Sequence, residues 1–135
     1  MNPLNAQQIK IVVSHFYQQV QQDELLGPIF NEVARVDWQE HIPLICRFWQ
    51  TVILGTDDYE GGAYPKHVAL AQKTSITESH FARWLCLFSQ TAHAHLPPDL
   101  AQVLVDRAYL IANGLKISQL LTLNPGLYNN EALTI

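Results

Sequence analysis

A chain of 135 residues holds one ordinary domain and leaves no room for two. Apolar residues make up 48% of it and charged residues 15%, a balance that builds a core and excludes a disordered chain. The net charge of −4 comes without any Lys/Arg cluster, which excludes the basic stripe that nucleic acid requires.

The first helix is expected to begin after Asn5, an N-cap residue with Gln8 three positions later as its capping-box partner. Ile9, Val12, Val13, Phe16 and Val20 then recur at spacings of three and four, the helical period, and Tyr17 falls on the same face. A tyrosine there must find a partner for its hydroxyl inside the protein or on a ligand. Gly27-Pro28 marks a break, and Ile29-Phe30 places two apolar side chains in a short turn beyond it.

Asp37 is a candidate cap for the second long helix. His41, Ile45, Phe48 and Val52 share one face of it, flanked by a stripe of Trp38, Ile42, Trp49 and Ile53. Pro43 lacks a backbone N–H, so the helix proper is expected to start near it, with His41 in the first turn or just before; Gly55 ends it. Residues 56–64 read as loop, and Pro65 can open a short helix carrying Lys66, His67, Val68 and Leu70.

Ser75 with Glu78 predicts a capping box for the third long helix, whose inner face is Phe81, Trp84, Leu85, Phe88 and Ala92. After Pro97-Pro98, the last helix keeps its period through Leu100, Val103, Leu104, Ala108, Ile111 and Leu115. From Leu123 onward, Asn-Pro-Gly and Asn-Asn are turn signals. The organisation expected is a folded domain over 1–122 and a loosely held tail over 123–135. No strand-like alternation is present, so the fold class is all-α.

No apolar stretch qualifies as a membrane span, and the N-terminus lacks the basic-then-apolar order of a secretory leader. Cys46 and Cys86 are too far apart for a CxxC site and read as buried free thiols, which fits a reducing cytoplasm.

Of six histidines, His93 and His95 stand two apart and point about 200° apart around a helix axis, so they do not share an ion. There is no HExxH, no paired ExxH and no Gly-rich phosphate loop. A metal site built on one histidine remains, and haem is the cofactor that needs only one protein ligand and an apolar slot. Three Trp and five Phe supply walls for such a slot, although they could equally pack against one another.

The segments Phe16-Tyr17, Leu26-Gly27-Pro28-Ile29-Phe30-Asn31, Trp38-Gln39-Glu40-His41, Phe48-Trp49, Leu54-Gly55, Tyr59-Glu60-Gly61, Lys66-His67 and His80 to Phe88 occur in the order and at the spacing of a known family. Over roughly residues 5–120 the chain resembles the group III truncated haemoglobins. Paired glycines near the first inter-helix junction, usual in groups I and II, do not occur at that junction here. The resemblance implies a globin-like, shortened two-over-two helical sandwich around haem b, with His67 as the iron ligand. It places Tyr17, His41 and Trp84 on the distal, ligand-facing side, Phe30 against the haem face, and Ile45, Phe48 and Trp49 in the apolar lining. Lys66 is a candidate partner for a haem propionate.

The implied ligands are O2, NO or CO. Two donors on a bound diatomic favour retention over delivery, so the expected role is redox chemistry. Nitric oxide dioxygenation, which needs a reductase partner, and peroxide turnover, with His41 carrying the proton, both fit the residues. A non-enzymatic gas carrier or sensor is the alternative.

Overall fold

The computed structural model describes residues 4–33, 35, 37–55 and 76–123, with side chains described as far as 116, Val33 excepted. Among these residues there are four long helices, and no strand. They are α1 (Ala6–Gln22), α2 (Trp38–Leu54), α3 (Glu78–His95) and α4 (Pro98–Leu123), with a π turn at Ile29–Val33 between the first two. The expected short helix with Lys66 and His67 lies outside the described residues, as does the expected tail beyond Leu123. No helix in the described residues is long and apolar enough to cross a membrane.

α1 forms as its sequence dictates. Asn5 Oδ1 accepts from Gln8 N–H at 2.9 Å, and Gln8 Oε1 accepts from Asn5 N–H at 3.1 Å, closing a reciprocal cap. Ile9, Val12, Val13, Phe16, Tyr17 and Val20 are all buried. α1 packs against both α2 and α3, and α3 packs against α4, so α1 is the spine of the described core.

The corner after α1 is tight. Gly27 N–H donates to Asp23 O at 2.8 Å, and a Cβ on Gly27 would stand 2.9 Å from the Gln21 carbonyl oxygen. Only the absence of a side chain lets the backbone pass there.

α2 begins at Trp38, one turn earlier than Pro43 suggests. Asp37 caps it, its carboxylate accepting from Gln39 N–H at 3.0 Å, and His41 N–H donates to Asp37 O at 2.8 Å. Pro43 therefore sits inside the helix, in its second turn, where one missing N–H is outweighed by the cap and by the packing of Trp38, Ile42 and Ile45 on the core. Gly55 ends the helix in a left-handed conformation, φ 72°.

Three further expectations are corrected. α3 is capped at Thr77, not at Ser75, and its reciprocal partner is His80, whose Nδ1 accepts from Thr77 N–H at 2.9 Å. Cys86 is exposed; only Cys46 is buried, and burial pushes its thiol up. Val103 points outward at 44% exposure, because α4 lies closest to the core along the small side chains Ala101, Ala108 and Ala112, with Leu100, Leu104 and Val105 beside them. Small residues draw that face inward, and Val103 rotates away with the opposite side of the helix.

Candidate functional site

Three polar-tipped rings from three helices converge at one end of the core. Tyr17 comes from the buried face of α1, His41 from the first turns of α2, and Trp84 from α3. The Tyr17 and His41 rings meet edge to face, with centroids 5.3 Å apart and planes at 90°. The Trp84 indole N–H lies within donating reach of the Tyr17 oxygen. An indole N–H can only donate, so an interaction between the two runs from Trp84 to the Tyr17 oxygen and leaves the Tyr17 O–H to give elsewhere.

Burial drives the Tyr17 phenol well above its ordinary pKa; the nearby Trp84 N–H opposes this, and repulsion from the Cys46 thiolate adds to it. The hydroxyl is therefore neutral throughout the physiological range and acts as a donor.

Trp84 is held from behind. It stacks on Phe88 at 5.7 Å with planes 9° apart, and Trp49 stacks on Phe88 at 4.9 Å and 11°. Phe16 meets Trp84 edge-on at 5.6 Å. The Trp49 ring is thus committed to the core wall between α2 and α3, at 2% exposure, whereas Phe30, Ile45 and Phe48 are half-buried at the edge of the core.

The deepest line of α2 is Cys46 and Trp49. The face of His41, Ile45, Phe48 and Val52 is only half-buried. An apolar face left half open beside a donor pair is the wall a flat apolar cofactor needs, and no carboxylate intrudes among these residues to oppose it. The described side of the site fits a porphyrin. Lys66 and His67 lie outside the described residues.

Trp38 adjoins this site; the sequence showed it as one member of an apolar stripe and of a resemblance segment, with no site role. Tyr17, Phe30, Trp38 and His41 form a closed aromatic cluster, each ring against the other three at centroid separations from 5.3 to 6.3 Å. Asp23 ties the cluster's outer edge together. Its carboxylate accepts from Leu25 and Leu26 N–H at 3.1 and 3.0 Å and from Arg83 Nε at 2.7 Å, joining the turn that carries Phe30 to the helix that carries Trp84.

No family model matches the chain. It is 32% identical over 113 residues to the group 3 truncated hemoglobin of Campylobacter jejuni, a match covering 82% of this chain and 87% of that one. The crystal structure of a group III truncated hemoglobin from the same organism superposes with a TM-score of 0.75 at 30% identity, covering 85% of this chain and 91% of the other. The chain belongs to the group III truncated haemoglobins. The all-α fold is accordingly that of a shortened globin, α1 and α2 forming one packed pair and α3 and α4 another.

Proposed function

We propose that this truncated haemoglobin binds haem b through His67 and holds a small diatomic ligand, O2, NO or CO, against Tyr17, Trp84 and His41. The observation that carries this reading is the convergence of those three side chains at the open apolar face of α2. When bound, haem supplies an iron at which a diatomic is taken up and electrons are exchanged.

The chain's own residues then do the following. Tyr17 donates its O–H to the outer atom of the ligand, while Trp84 stabilises Tyr17 in that orientation. Phe30, Ile45 and Phe48 exclude water from the slot, and Trp49 backs the wall through Phe88. Lys66, adjacent to His67, pairs with a propionate.

A hydrogen bond to a charged acceptor contributes about 1.5–3 kcal/mol, on the order of a ten- to hundredfold slower release. Such retention suits redox chemistry on nitric oxide or peroxide better than oxygen delivery. In this reading His41 would carry the proton in peroxide turnover, and nitric oxide dioxygenation would need a separate reductase to return the electron spent in each turnover. Titration of the purified protein with haem, followed by the Soret band, tests the reading. One equivalent should bind tightly to the wild type, and His67→Ala should lose the axial-histidine spectrum; an unaltered spectrum in that variant would refute the ligand assignment.

A further inference from the structure

Asn31 stands one residue beyond Phe30 in the π turn, and both ends of its amide are engaged. Its Oδ1 accepts from Trp38 Nε1 at 2.9 Å, and its Nδ2 donates to the Gln21 carbonyl at 3.1 Å. The indole can only donate and the carbonyl can only accept, so the amide has one workable orientation; flipped, it would set donor against donor and acceptor against acceptor. Asn31 thereby joins the last turn of α1 to the first residue of α2.

The residue it grips is in direct contact with the ligand-facing groups. The Trp38 ring lies 5.6 Å from Tyr17, 5.5 Å from His41 and 5.8 Å from Phe30. Trp38 is the first residue of its helix and only half-buried, and the bond to Asn31 is the hydrogen bond of its indole N–H. Without Asn31 the N–H loses this partner, and the tilt of the ring against Tyr17, His41 and Phe30 loses the bond that fixes it.

We propose that Asn31 is a positioning residue that sets the geometry of the ligand pocket through Trp38. The proposal rests on the reading of Tyr17 and His41 as ligand-facing. Asn31 itself is exposed, so its bond competes with water and adds little to stability; its effect is on orientation.

The test is a double-mutant cycle of Asn31→Ala and Trp38→Phe, the latter keeping an aromatic ring but removing the N–H. The C–O stretching band of the CO-bound protein reports the field of the pocket donors, and the indole N–H resonances of Trp38 and Trp84 report ring placement in the same sample. Each single variant should shift or broaden the band and change the ligand dissociation rate by roughly two- to tenfold, the range of one net hydrogen bond. The double variant should add nothing to the larger single effect.

Tyr17→Phe is the control. If it moves the band while Asn31→Ala leaves band and Trp84 resonance at their wild-type positions, the positioning role is wrong and the pocket reading stands. Additive effects in the cycle would overturn the role equally. If Tyr17→Phe also leaves the band unmoved, the pocket reading itself is wrong.

Discussion

Trp84 stacks face to face on Phe88, with ring centroids 5.7 Å apart and planes within 9° of parallel. The orientation of the indole N–H, and hence its reach to Tyr17, is therefore set by a ring one helical turn further along α3. Phe88 in turn lies against Trp49 of α2, at 1% exposure. A core contact and a pocket contact are the same stack.

Phe88→Ala should therefore lose both. Removing a fully buried phenylalanine costs about 3–5 kcal/mol, which denaturant melts would register as a lower midpoint with little change in slope. The milder Phe88→Leu keeps most of the volume but not the flat face. It should cost less stability while still changing ligand release, and release measured under conditions where the variant is folded separates the two effects.

Stability should fall at both ends of the pH scale. Burial alone would raise Asp23, but hydrogen bonds from Leu26 N–H, Arg83 and Leu25 N–H outweigh it and hold the carboxyl below its ordinary value. A carboxyl depressed in the folded state stabilises the fold above the unfolded pKa, near 4, and that contribution disappears as pH falls through the lower folded value. Tyr17 behaves in the opposite sense: its raised folded pKa contributes fully below about 10 and is lost as pH rises beyond that. Melts from pH 2 to 5 should show a steeper acid loss in wild type than in Asp23→Asn, which starts about 1–2 kcal/mol lower at neutral pH.

Gly27→Ala places a methyl group 2.9 Å from the Gln21 carbonyl oxygen, a backbone atom that has no rotamer to change. Overpacking of this kind costs about 1–3 kcal/mol. Because the same corner leads to Phe30 and Asn31, the variant should also perturb the aromatic cluster, visible as a change in Trp38 fluorescence alongside the lowered melting temperature.

The sequence made α1 readable in full, because six buried residues repeat at three and four and the Asn5–Gln8 pair is a direct N-terminal signal. Asp37 was readable as the cap of α2, a local bond to Gln39 N–H, but Pro43 argued for a later start; the packing of Trp38 and Ile42 on the core, a tertiary contact, keeps the first turn helical. The cap of α3 escaped since histidine is an unusual reciprocal partner, and only the Nδ1 geometry of His80 shows it filling that role. Val103 was grouped by spacing with Leu100, Leu104 and Ala108, but the buried face runs through Ala101, Val105 and Ala112 as well, which leaves Val103 outside it.

Within the site, Tyr17, His41, Trp84, Phe30, Ile45 and Phe48 could be named from the family resemblance; the structure sets the rings of Tyr17, Phe30 and His41 against one another and packs Trp84, Ile45 and Phe48 on the core. Trp38 and Asn31 stood in the segments that carry the resemblance without a role of their own, and their bond could not be read, because only the folded chain sets them 2.9 Å apart.

The central claim is that Tyr17, steered by Trp84, donates to a ligand bound in this pocket. Dioxygen dissociation from the ferrous protein, followed by stopped-flow displacement with CO, tests it most directly. Tyr17→Phe should release dioxygen faster by about one to two orders of magnitude, and Trp84→Leu should act in the same direction. Dissociation from Tyr17→Phe at the wild-type rate would contradict the account.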